Sequence, residues 1–178
     1  MSSMLVSLGP RAGAEDLVGL LLECHHRIRT FVGLAVQVAT RDGLPAAEVV
    51  DACGRFERYF VEALPLHVED EERSLLPRLA GLDGEVDSAL ATMRAQHAGH
   101  ALLLKELLDA GRELRRSPGD AAARGRLGAA ASRLSADFEQ HLALEERVLF
   151  PAARGRLAAD VQAQIVAELR ERRRPRAG

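Results

Sequence analysis

The segment His67–Pro77, HVEDEERSLLP, returns near the far end of the chain as His141–Pro151, HLALEERVLFP. Six of the eleven positions are identical: the histidine, two glutamates, an arginine, a leucine and the closing proline. In both copies a glutamate stands four residues after the histidine, Glu71 after His67 and Glu145 after His141. Residues four apart share one face of an α-helix, so each copy can present an imidazole and a carboxylate side by side. Both copies lie late in helical segments, and the prolines are expected to end them.

On either side of the repeat, turn-forming residues divide the chain at Arg41-Asp42-Gly43-Leu44-Pro45, Gly81-Leu82-Asp83-Gly84 and Ser117-Pro118-Gly119-Asp120. The four segments between them each carry a stripe at steps of three and four, the pattern of a buried helical seam. The first runs Val18, Leu21, His25, Ile28, Val32, Ala35, Ala39 and the second Val49, Ala52, Phe56, Phe60, Ala63, His67, Glu71, Leu75. The third runs Val86, Leu90, Met93, His97, His100, Leu104, Leu107 and the fourth Leu127, Ala131, Leu134, Phe138, His141, Glu145, Val148. This predicts an all-α fold: an antiparallel up-down four-helix bundle of two repeated hairpins, over residues 14–154. A tail is expected at 1–13, and a short fifth helix with a basic tail at 155–178. Pro65 is expected to kink or restart the second helix. The run Arg170 to Arg176 is expected to be a solvated, frayed helix end.

At one level of each stripe the apolar residues give way to His and Glu. Of the six histidines, only His26 lies off a seam, because its own stripe would bury Arg29. A carboxylate in a core is costly unless paired or bound to a cation. For His67/Glu71 and His141/Glu145 the plainer alternative is a pair of buried hydrogen bonds. The expected metal ligands are His25, His67, Glu71, His97, His100, His141 and Glu145. His100, three residues after His97, could instead sit behind a ligand or at the mouth of the site. Glu72 and Glu146 are expected to face solvent beside Arg73 and Arg147, with Glu146 also able to reach a bridging position. Glu69 and Asp70 read as a solvated face.

Imidazole with carboxylate suits iron, zinc, copper or nickel rather than magnesium or calcium. Five histidines and two carboxylates exceed what one tetrahedral zinc uses. They match two iron ions bridged by Glu71 and Glu145, with an oxo or hydroxo bridge allowed and zinc as a possible substitute. The chain has 178 residues and a formal net charge of −2, so no global charge draws it to nucleic acid or an anionic membrane. No apolar run approaches a membrane span, and Met1–Pro10 lacks the features of a signal peptide. A cytoplasmic protein with reduced Cys24 and Cys53 is expected.

From Asp16 to Pro151 the sequence resembles the hemerythrin family, including its HHE cation-binding branch. The resemblance rests on ECHHRIRTF, LPLHVEDEERSLLP, AQHAGH and HLALEERVLFP. By it, His25, His67, Glu71, His97 and His141 match ligand positions. Two features depart from the oxygen carriers of the family. Their third-helix histidines are usually four apart, and their fourth-helix carboxylate usually lies five beyond the histidine. The resemblance implies a non-haem di-iron centre that takes dioxygen, or nitric oxide, as its small ligand, in oxygen binding, sensing or iron handling. A peroxidase- or ferroxidase-like enzyme and a metal-free interaction module are the rival readings, and no nucleic-acid or membrane partner is expected.

Overall fold

A computed structural model describes residues 16–174, and the expected tail at 1–13 and the last basic residue, Arg176, lie outside them. The described residues form five helices and no strand: α1 (Leu17–Thr40), α2 (46–79), α3 (Gly84–Arg116), α4 (121–156) and α5 (Ala159–Arg172). Asp16, Asp83 and Asp120 cap α1, α3 and α4, each accepting the backbone N–H three residues on. Gly43 and Gly81 turn the chain between helices at φ 69° and 79°, a region in which other residues are strained. Helix α1 packs against α2 and α4, and α3 packs against the same two, which closes the four-helix ring.

The prolines do not end the helices. Helix α2 runs through Pro65 and Pro77 to Leu79, and α4 runs through Pro151 to Arg156. Each proline is instead preceded by one wide π-turn, at Tyr59–Ala63, Glu71–Leu75 and Glu145–Leu149. Proline lacks the N–H of an α-helical bond, and its ring clashes with the carbonyl four residues back. The wide turn relieves that clash, closing on five-residue bonds from Leu64, Leu76 and Phe150 to the carbonyls of Tyr59, Glu71 and Glu145.

A π-turn adds a residue to the turn, so the buried seam slips by one. Ala63, expected inside, is exposed, and Leu64 is buried in its place. Val148 is only half-buried, and Leu149 takes the core position. At Ala39 and Leu104 the expected residue is half-buried, with Val38 and Leu103 buried beside it. The other stripe positions are buried apart from half-buried His97, and His26 is exposed while His25 is fully buried.

The apolar core is in two parts. One contains Ile28, Phe56, Leu64, Leu103, Leu107 and Phe138, the other Leu21, Leu75, Met93, Leu149 and Phe150. Along every helix of the bundle, the histidines and buried glutamates fall between these two clusters. The polar residues form a belt through the molecule, sealed by hydrocarbon at both ends.

Helix α5 buries Ile165, Val166 and Leu169, and its charged end is not a frayed tail. Arg172 and Arg173 grip the two oxygens of Asp70 at 2.8 and 2.5 Å. Asp70, expected on a solvated face, is fully buried by this contact. Glu168 completes the latch by accepting bonds from Ser74 and Arg78. Thus α5 is fastened to the stretch of α2 that carries Glu71.

Candidate metal centre

The belt brings together two groups of donor atoms, each mutually within 4.8 Å: His25, His67, Glu71 and Glu145, and Glu71, His97, His141 and Glu145. Both glutamates belong to both groups, and each divides its oxygens between them. Glu71 places Oε1 3.0 Å from His67 Nε2 and Oε2 3.3 Å from His97 Nε2. Glu145 places Oε2 2.6 Å from His25 Nε2 and Oε1 3.1 Å from His141 Nε2. Each carboxylate therefore spans from a histidine of its own helix to one on α1 or α3. The contacts of Glu71 in the first half of the repeat thus correspond to those of Glu145 in the second.

These contacts are close, yet they are not hydrogen bonds. The Nε2 atoms of His25, His67 and His97 and all four oxygens of Glu71 and Glu145 are buried without a hydrogen-bond partner. Native proteins rarely leave such atoms unmatched, so the alternative of simple His–Glu hydrogen bonds accounts poorly for the belt. Donor atoms about 2.1 Å from one ion and at right angles to each other stand about 3 Å apart, which is the spacing found here.

The charges argue the same way. Burial and the neighbouring Glu71 carboxylate push Glu145 up to about 7. Burial opposes ionisation of Glu71 too, but His67 and His97 hold it well below the usual carboxylate range. Burial works against charge on His67, yet Glu71 raises its pKa above the ordinary value. Burial and the surrounding imidazoles hold His141 down to about 4. Two buried carboxylates that oppose each other's ionisation, ringed by imidazole nitrogens, suit added positive charge. The residues present fit a pair of metal ions.

Three of the outer nitrogens are also held, two by glutamates and one by a glutamine. Glu146 lies 2.8 Å from His25 Nδ1, and Glu72 lies 3.0 Å from His97 Nδ1. Gln96 Oε1 lies 2.9 Å from His141 Nδ1. A carboxylate only accepts, so His25 and His97 carry the proton on Nδ1 and leave Nε2 free for a ligand bond. Glu146 also accepts from Arg29 at 2.9 Å rather than pairing with Arg147. Both glutamates lie one step beyond the inward carboxylate, at the start of a π-turn. The identical Glu-Glu-Arg in both repeats was the signal that could have found them. His67 Nδ1 has no oxygen partner, and the Cys24 thiol lies beside this ring.

Of the seven expected ligands, six enter the two groups and His100 enters neither. Residues three apart on a helix differ by about 60° in direction, so His97 and His100 do not converge on one point. His100 is buried against Phe138 and His141, with ring centroids 4.5 and 5.0 Å away. Burial and the nearby His141 and His97 push its pKa down to about 4.

A model of the hemerythrin HHE cation-binding domain matches residues 16–153, which takes in all of the belt. The chain belongs to the hemerythrin HHE family. It is a cation-binding domain, and its buried His/Glu groups fit a metal site. No curated protein matches the chain. No helix among the described residues is long and apolar enough to cross a membrane.

Two outcomes follow for the HHE belt. His25→Ala is expected to lower bound metal sharply, and His26→Ala to leave it unchanged, because adjacent residues point about 100° apart and only His25 faces inward. Metal content after desalting decides this, and loss in the His26 variant alone would reverse the phase of α1. The second concerns pH. With its pKa near 7, Glu145 must give up a proton to take a metal. Metal is therefore expected to be retained at pH 8 and released progressively below pH 7, by up to about tenfold in affinity per displaced proton per pH unit. Retention unchanged down to pH 5 would contradict this.

Proposed function

We propose that the belt holds two iron ions that share Glu71 and Glu145, and that the loaded centre binds dioxygen or nitric oxide in the cytoplasm. The observation that carries the reading is the division of each glutamate's oxygens between the two donor groups. His25 and His67 would hold one ion, and His97 and His141 the other. Two ferrous ions would supply the electrons that reversible dioxygen binding needs.

The chain's own residues supply the rest. Glu72, Glu146 and Gln96 fix the rings from outside, which sets ring orientation and tautomer. The two apolar clusters exclude water above and below the belt. A cavity of about 110 Å³ opens beside it, with His67, His97 and His141 on one side and Ile28, Leu64, Val68, Leu104 and Phe138 among its other walls. Pockets for drug-sized ligands span about 300–1,000 Å³, whereas one water takes about 30 Å³. This space suits a molecule of a few atoms, which favours a gas ligand over an organic substrate.

Titration of reduced, iron-loaded protein with nitric oxide, followed by visible absorbance, tests the reading. Saturable binding is expected, absent from the metal-free protein. Loaded protein that binds neither nitric oxide nor dioxygen would defeat the ligand assignment.

A further inference from the structure

The cavity beside the belt has four polar lining residues: His67, His97, His141 and His100. The first three present donor atoms to the two groups, and His97 and His141 have their other nitrogens held by Glu72 and Gln96. His100 is committed to neither task. It is 6% exposed, and its ring packs on Phe138 and His141 without a carboxylate or carbonyl to hold it. Its ring nitrogens are not among the buried unpartnered atoms of the belt, so they reach the cavity or solvent, and the ring is free to turn an N–H toward an occupant of that space. The space its ring borders is the cavity, whose remaining walls are hydrocarbon. Apart from His67 Nδ1, which lies beside the Cys24 thiol, a small molecule that draws negative charge onto itself at a metal finds no other uncommitted ring nitrogen among these lining residues.

We propose that His100 is a positioning residue that donates a ring N–H to the small ligand bound in the cavity, and is not itself a metal ligand. The ligand class is a molecule of two or three atoms that accepts a hydrogen bond once polarised by the metals. This rests on the two-iron reading given above. A hydrogen bond to a charged acceptor is among the stronger kinds, so its loss is expected to show clearly in affinity.

Azide serves as the probe, with the full chain loaded with iron and oxidised, and binding followed by visible absorbance. His100→Phe fills the ring's space without a donor, His100→Leu does so with an aliphatic side chain, and His100→Gln restores a donor. His100→Phe and His100→Leu are expected to weaken azide binding about ten- to a hundredfold, and His100→Gln to recover most of it. Iron content and melting temperature are expected to match the parent protein in all three. A fall in iron content in the folded His100→Phe and His100→Leu proteins would make His100 a ligand and overturn the proposal. So would unchanged azide affinity in these variants beside normal binding by the parent. A parent protein that holds two irons yet binds neither azide nor nitric oxide would remove the small-ligand reading and this inference with it.

Discussion

Replacing either Glu71 or Glu145 by glutamine is expected to strip both metals from the protein, not one. Each carboxylate belongs to both donor groups and turns one oxygen to each, so neither ion keeps its donors when one glutamate is lost. The amide also removes a negative charge from a buried site, where charge neutralisation is worth most. Because changes to the outer partners of ligands already cost about 10- to 100-fold in metal affinity, loss of a shared ligand should cost at least that at both positions. His67→Ala and His97→Ala provide the contrast, because each touches one group. They are expected to leave about one metal per chain, and the glutamine variants fewer than half of one, by metal analysis after desalting. Loss of a single metal in Glu71→Gln or Glu145→Gln would show that the glutamate is not shared.

Removing the metals is expected to lower the melting temperature by about 15–30 °C. The metal-free belt leaves seven inward-facing donor atoms buried without hydrogen bonds in the middle of the bundle. Such atoms oppose folding, and ions that satisfy them bind the folded chain alone. A ligand at about a thousand times its dissociation constant stabilises by about 4 kcal/mol, so two ions give about 8 kcal/mol. For a chain of this size each kcal/mol moves the midpoint by about 2–4 °C. The Arg172–Asp70 and Arg173–Asp70 pairs fasten α5 beside Glu71, so the fifth helix is expected to loosen in the same transition. Identical melting curves for metal-loaded and chelated protein would rule out a stabilising role for the centre.

Most of the belt could be read from the chain because a polar residue on an apolar stripe is conspicuous. His25, His67, Glu71, His97, His141 and Glu145 each interrupt a run of core positions, and each is brought to the belt. The slip at Ala63 and Val148 could not be read from a regular period of 3.6. Yet its cause was visible in Leu64-Pro65, Leu76-Pro77 and Phe150-Pro151, each of which follows a π-turn. The docking of α5 was written in the differences between the repeats rather than in their likeness. Asp70 and Ser74 stand where the second copy has Leu144 and Val148, and these polar substitutions meet Arg172, Arg173 and Glu168. Glu72 is exposed, as helical phase predicts, and Glu146 is half-buried. What phase does not show is that their long side chains reach back to the histidine on the neighbouring helix rather than to Arg73 and Arg147.

His100 shows the limit of stripe reading from the other side. Its place on the α3 seam made it look like a ligand, and it is indeed buried. Burial along a seam does not fix which way a ring points, and its neighbours are Phe138 and His141 rather than a glutamate.

The most direct test of the central claim is the ratio of iron to protein in chain supplied with ferrous iron under nitrogen and then desalted. Two shared glutamates between two histidine pairs predict two irons per chain. They also predict new visible absorbance when air is admitted to the loaded protein. A ratio of one or less, or a single tightly held zinc that iron does not replace, would contradict the two-metal centre while leaving the helical bundle intact.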